Sequence, residues 1–432
     1  MDFELPEEYA AITDTVRRIV EAEIKPVIGA YETSGEFPYP VIRKMGDAGL
    51  FGATFPESLG GTDAGFFAIT AISEEFSRLT PEFGYAMNQQ AMTCPFTIFN
   101  WGSDAQIERF VPDLIAGRAI GMFALTEPGG GSDAAGAMKT TARRHGDIYR
   151  LNGSKQWITF ANACDTGLLF AKTDPAAGHA GITAFVVEPK RGRCYRAHPI
   201  AMSGLSNCLR SCAVFLEDFE VPVENRLGYT AHPIAMSGLS NCLRSCAVFL
   251  DDFEVPVEDR LGAEGEGFKI AMNALEYGRL TVAARLTGLA QACLEHAVAY
   301  SRERLIRGRP LGEYQMIQQQ IADMTVNVPA ARALTWKAAW AMETGRPATR
   351  AAAQAKYFAG NAARHAAQAV SDIYAGYALA DEYPVKKIVA YVNMLTVGEG
   401  TPNVQRILLA EDALGIKDAD RHPVRNRARK AL

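Results

Sequence analysis

Three short stretches carry residue types from which a ligand site can be built. Phe123-Ala-Leu-Thr-Glu-Pro-Gly-Gly-Gly-Ser-Asp133 reads as a strand that opens into a glycine loop. Glycines have no Cβ, so such a loop brings backbone N–H groups and small hydroxyls close to a ligand. Leu151-Asn-Gly-Ser-Lys-Gln-Trp-Ile-Thr159 follows at short range and sets a flat indole beside a hydroxyl donor. Far downstream, Gly398-Glu-Gly-Thr401 offers a carboxylate on a glycine-flanked turn. Together they suit a planar ligand with a polar edge, such as a flavin.

Glu399 is the candidate base. A carboxylate on a flexible turn, shut into an apolar pocket, has its pKa raised toward neutrality by desolvation. The competing reading is a cap for a helix starting near Pro402. For Trp157 taken alone, simple core packing is the competing reading.

The elements that must position these residues fall into three blocks. Residues 1–120 read as helices: Glu7 to Glu23 with Pro26 ending it, a short helix from Tyr39 closed by glycine, another over 68–79, and one from Asp104 to Ile115 capped by Ser103. Residues 121–261 change to short β-rich runs broken by Gly, Asn and Asp, among them 148–151, 167–171, 182–187 and 213–216. Residues 262–432 return to long Ala-rich helices (270–305, 311–343, 347–377, 384–396 and 402–414), with turns at Gly308-Arg-Pro310 and Gly345-Arg-Pro347. The expected fold class is α+β and multi-domain: a helical N-terminal domain, a central β-barrel or sandwich, and a C-terminal four-helix bundle.

One anomaly interrupts the β block. Residues 195–228 recur at once as 229–262, differing only at Arg196/Thr230, Glu217/Asp251 and Asn225/Asp259. Two copies do not make a solenoid. Both copies cannot fill one slot in a β-domain, so one is expected to be extruded or added at a sheet edge. The residues themselves do not say which.

Composition bounds the partners. The 432 residues can bury a large core, and 48% hydrophobic with 22% charged residues is ordinary for a globular protein. A net charge of −5 argues against nucleic acid or an anionic membrane as partner. The basic run from Arg421 to Lys430 reads as a solvated tail. The N-terminus lacks signal- and transit-peptide features, and no apolar run reaches the length of a membrane span. The eight Cys have metal-like spacing only at 208/212 and 242/246, inside the repeat. Reduced thiols in a cytoplasmic protein without a metal are the expectation.

The three opening stretches, in this order and spacing, resemble the acyl-CoA dehydrogenase family. The likeness extends through Tyr149-Arg-Leu-Asn-Gly, Asp252-Phe-Glu-Val-Pro256, Gly262-Ala-Glu-Gly-Glu-Gly-Phe268, Gly278-Arg-Leu-Thr-Val-Ala-Ala284, Glu382-Tyr-Pro-Val and Glu399-Gly-Thr…Gln405-Arg406. The resemblance implies one non-covalent FAD per subunit, a homotetramer, and α,β-dehydrogenation of an acyl-CoA. It also implies electrons passing to electron-transfer flavoprotein.

Residue by residue, the resemblance makes Glu399 the catalytic base. Some family members take the base from the helix matching 268–290, where Gly278 cannot serve. Phe123, Leu125, Thr126, Gly131 and Ser132 would line the flavin, with Trp157, Ile158 and Thr159 packed on its ring system. Arg304 and Gln315 would reach the FAD of a neighbouring subunit, and Gly376 and Thr401 would also contact FAD. Ser132, Glu276, Arg279 and Gly400 would meet the substrate, although a surface ion pair is the competing reading for Glu276 and Arg279.

The chain departs from the family at Arg307, at Asp372-Ile-Tyr-Ala-Gly376 and at Ala390-Tyr391. Residues 83–90 are similar to the glutaryl-CoA branch, which uses an Arg where Gly84 stands here. On that basis a dicarboxylyl substrate is disfavoured and a short, branched or cyclic monocarboxylyl-CoA preferred. An oxygen-using flavoenzyme of the same fold and a catalytically idle flavin-binding relative are the alternatives.

Overall fold

The computed structural model describes residues 7–189, 195–196, 228–234, 239–240, 242–421 and 424–428. The N-terminal helices are α1 (Glu7–Ile19), α2 (Lys25–Ser34), α3 (Tyr39–Asp47), α4 (Gly65–Leu79), α5 (Gly84–Met87), α6 (Pro95–Trp101) and α7 (Asp104–Ile115). Pro26 does not end the first helix as expected. A π-type turn over Val20–Ile24 hands α1 on to α2, where Pro26 sits in the first turn. Its missing N–H costs nothing there. The cap on α7 is as anticipated, and it is reciprocal: Ser103 accepts from the Gln106 amide while Gln106 accepts from that of Ser103.

The central strands are β1 (Gly121–Ala124), β2 (Thr141–His145), β3 (Ile148–Thr159), β4 (Thr166–Lys172), β5 (Ile182–Val187), β6 (Tyr195–Arg196), β7 (Gly228–Pro233), β8 (Ser245–Pro256) and β9 (Arg260–Leu261). Among the described residues they form one nine-stranded sheet in the order β6-β7-β8-β3-β2-β4-β5-β9, with β1 parallel to β4. Alternation sends Phe123, Leu125, Leu168 and Phe170 toward the helical core, and Met122, Ala124, Leu169 and Ala171 into a second core on the opposite face.

The repeat meets the sheet at its edge. The second copy supplies β7 and β8, and β8 is the strand paired with β3. The opening residues of the two copies, Tyr195 and Tyr229, are register partners in a parallel β6–β7 pair. The rest of the first copy, including 213–216 and the Cys208/Cys212 pair, lies outside the described residues. Cys242 and Cys246 of the second copy are buried free thiols.

The C-terminal helices are α8 (Gly267–Glu303), α9 (Gln315–Glu343), α10 (Thr349–Tyr374), α11 (Val385–Val397) and α12 (Pro402–Ala413). Small residues let them approach closely. A Cβ on Gly288 of α8 would lie 2.1 Å from the Glu74 carbonyl oxygen of α4. Among the described residues no helix is long and apolar enough to cross a membrane.

Candidate active site

Glu399 sits between α11 and α12 with a left-handed backbone, φ 53°, a conformation that non-glycine residues rarely adopt without reason. Its Oε1 accepts from Asn88 Nδ2 at 2.9 Å, and its buried Oε2 has no partner among the described residues. Asn88 is itself oriented by Thr281, whose hydroxyl donates to Asn88 Oδ1 at 2.6 Å. Burial raises the Glu399 pKa; the Asn88 hydrogen bond, Arg279, Lys356 and Arg285 act to lower it. A carboxylate whose pKa is raised is a stronger proton acceptor than an ordinary glutamate.

The turn is anchored through its backbone. Lys356 of α10, 3% exposed, donates to the carbonyls of Thr396 and Gly400. Arg279 donates to the Glu399 carbonyl at 3.4 Å, and Gln405 to those of Glu399 and Gly400. Thr401 caps α12, accepting from the Val404 amide. Arg279 is buried, so the surface ion pair considered for it and Glu276 does not describe this site; Glu276 instead accepts from Thr349 at 3.1 Å.

The glycine loop is fastened to β3 by a buried pair, Glu127 and Lys155, at 2.8 Å. Lys155 also donates to the Leu125 carbonyl, and Glu127 accepts from the amides of Lys139 and Thr140. Burial works against the Glu127 charge, yet Lys155 and these donors hold its pKa below the ordinary value. The Gln156 amide donates to the Thr126 carbonyl at 2.8 Å. Beside it, the β3–β8 register slips between Lys155 and Ile158. This bulge gives Trp157 a φ of 63° and leaves its indole 49% exposed. Gly131 and Ser132 are exposed, Phe123 and Thr126 half-buried, Ile158 and Thr159 buried. The Thr159 hydroxyl lies 3.4 Å from that of Ser245.

One segment joins the loop to the carboxylate. Asn88 holds Glu399, while Gln90, two residues on, accepts from the amide of Gly121, the first residue of β1. From Gly121 the chain runs directly into Phe123, Leu125 and Thr126.

Family models match along the chain in the same order. They are the acyl-CoA dehydrogenase N-terminal domain over 6–118, the middle domain over 122–218 and the C-terminal domain over 265–414. A glutaryl-CoA dehydrogenase of Desulfococcus multivorans is 36% identical, with 98% of this chain and 100% of that protein covered. The chain belongs to the acyl-CoA dehydrogenase family. The caffeyl-CoA reductase–Etf complex subunit CarC of Acetobacterium woodii is 33% identical over 94% of this chain and 97% of its own. A solved glutaryl-coenzyme A dehydrogenase in complex with glutaryl-CoA superposes with a TM-score of 0.86 at 34% identity, covering 98% of this chain and 99% of the other.

As an oxidoreductase of the acyl-CoA dehydrogenase family, the protein takes an acyl-CoA and uses FAD. The residues present fit that cofactor. A strained bulge presents an exposed indole beside an exposed glycine loop, which is a surface for a flat ring with a polar edge. The middle-domain match ends within the first repeat copy, whereas the sheet is filled by the second.

Arg304, Gln315 and Gly376 gather elsewhere. Arg304 closes α8 and lies over the Tyr377 ring at 5.6 Å, next to Gly376 in the turn Ala375–Leu379. Its carbonyl accepts from Leu311, so exposed Gln315 at the start of α9 belongs to the same corner.

Three polar residues around Glu399 escaped the sequence reading: Asn88, Lys356 and Arg285. The signal for Arg285 was a basic residue following the apolar run Val282-Ala-Ala284. Arg285 also changes the meaning of Gly84, since a Cβ there would lie 2.9 Å from Arg285 Nε. The glycine does not leave that position without a cation; α8 supplies one.

Proposed function

We propose that the protein catalyses α,β-dehydrogenation of an acyl-CoA carrying a short, branched or cyclic acyl chain, with Glu399 removing the α proton. The observation that carries this reading is the Glu399 carboxyl: aimed by a strained backbone, with its buried Oε2 unpartnered among the described residues. Asn88 orients the other oxygen, so the free one faces the reacting carbon. Bound FAD supplies the acceptor for the β hydride. Phe123, Leu125, Thr126, Gly131, Ser132, Trp157, Ile158, Thr159 and Thr401 would hold the flavin. Ser132, Glu276, Arg279 and Gly400 would meet the acyl-CoA.

Arg304, Gln315 and Gly376 would bind the FAD of a neighbouring subunit in a homotetramer. Exposure of Leu305, Ile306 and Met316 in the same corner supports a covering partner. Electron-transfer flavoprotein is the proposed electron acceptor, in line with the Etf-complex relative.

Glu399→Gln tests the base. The variant should keep its yellow colour and bind acyl-CoA, yet lose substrate-driven flavin bleaching by several orders of magnitude. Bleaching at the wild-type rate would remove Glu399 from the reaction.

A further inference from the structure

Arg285 lies in the middle of α8, 1% exposed, and among the described residues its Nε and Nη2 have no hydrogen-bond partner. Among the described residues, the acidic groups near enough to act on it are Tyr85, Tyr391 and Glu399. Burial raises the pKa of both tyrosines, so they are neutral phenols at physiological pH. Tyr85 stacks beneath the guanidinium at 4.8 Å, which serves one face of that group and none of its edge donors. A buried cation left this way is strongly unfavourable unless something completes it.

Its place relates it to the reacting centre. Gly278, Thr281 and Arg285 follow at i, i+3 and i+7, one stripe of α8. Glu399 stands over Gly278, and Thr281 orients the Asn88 that holds Glu399. Two helical turns, about 10 Å, separate the backbone of 278 from that of 285. An arginine side chain leaning back toward the helix N-terminus shortens that gap. On the other side, the Thr159 hydroxyl neighbours Ser245, and Ser245 is hydrogen-bonded to Tyr85 beneath the guanidinium. Arg285 therefore lies between the base and the end of β3, and Gly84 leaves room for it.

We propose that Arg285 binds the distal carboxylate of the acyl group, so that the substrate class is a short dicarboxylic acid joined to CoA through one carboxyl. The proposal rests on the function proposed above and specifies its substrate. The fork of Nε and Nη2 matches the two oxygens of a carboxylate. The Cα–H proton passes to Glu399, the Cβ hydrogen leaves with its electron pair to oxidised FAD, and a C=C bond forms between the two carbons. The distal carboxylate is unchanged. This reverses the expectation drawn from Gly84, which considered only the residue at that position.

The test compares glutaryl-CoA with valeryl-CoA, which carries a methyl where glutaryl-CoA has its carboxylate, and with the glutaryl methyl ester. The FAD-loaded enzyme should show a kcat/KM for glutaryl-CoA roughly 10- to 100-fold above the other two, the scale of hydrogen bonds to a charged group. In Arg285→Gln that ratio should collapse toward one through KM, and Arg285→Lys should restore part of it. Binding to Glu399→Gln, measured by calorimetry, gives the same ratio without turnover. A failure of dehydrogenation is thereby separated from a failure of this assignment. Preference for valeryl-CoA in turnover or in binding by the unaltered Arg285 protein would overturn the proposal, even if the Arg285 variants do not fold.

Discussion

A Cβ on Gly278 would stand 2.7 Å from Glu399 Cδ and within 3.0 Å of both carboxylate oxygens. The glycine is therefore the floor of the space the carboxyl occupies. Gly278→Ala should push the carboxyl off its position while favouring the helix itself. A displacement of about 1 Å can cost 10²-fold in rate. Stopped-flow flavin reduction should slow by about that factor with the melting temperature little changed. An unchanged rate would show that the carboxyl has another seat.

Lys356 donates to the main chain on both sides of the Glu399 turn. Lys356→Met should lower kcat more than it raises KM, because the turn loses its aim rather than the substrate its contacts. The lysine also predicts a pH signature. Burial pulls its pKa from 10.5 down to about 7, so between those values the unfolded chain binds more protons than the folded one. Stability should then rise with pH across that window. Urea denaturation at pH 7.5 and 9.5 should show this contribution in the wild type and its loss in Lys356→Met; equal slopes would refute it.

Asn88 is the largest of the influences that lower the Glu399 pKa. Flavin reduction should rise with pH as Glu399 loses its proton, with a midpoint above the ordinary glutamate value. Asn88→Ala should move that midpoint further up. The raised pKa has the opposite stability sign from Lys356: the folded state holds the extra proton, so the contribution to stability falls as pH rises from 4.5 through the folded midpoint. A pH–rate profile unmoved by Asn88→Ala would sever the link between the two residues.

The repeat can be tested by deletion. Removing 195–228 keeps β8 and all of β7 except Gly228, and should leave FAD content and melting temperature unchanged or higher. Removing 229–262 offers the same strands from a copy differing at three positions, with the same expectation. Failure of both deletions to fold would mean that each copy has become structural.

The helices that pack one face onto a core were legible because their apolar spacing survives in the sequence; α7 with its Ser103 and Gln106 cap is the clearest case. The glycine flanks of Glu399 singled it out as a candidate, and the fold sets it on a left-handed turn between α11 and α12. Asn88 was not legible, because the segment from Gly84 to Asn100 is buried throughout and carries no amphipathic rhythm. It also winds through a π-type turn at Asn88–Thr93 rather than a regular helix. Arg285 was missed for a related reason: residues 277–290 are all buried, so no polar face marked it as unusual. The choice between repeat copies could not be read, since three substitutions distinguish them and pairing with β3 decides.

The left-handed backbone at Glu399 also sets a trap for protein engineering. A residue held at φ 53° with a desolvated carboxyl is a standing cost of order 1–3 kcal/mol. Glycine or asparagine would relieve it at once. Selection for heat resistance alone should therefore enrich substitutions at position 399 and return hardy, yellow, inert proteins.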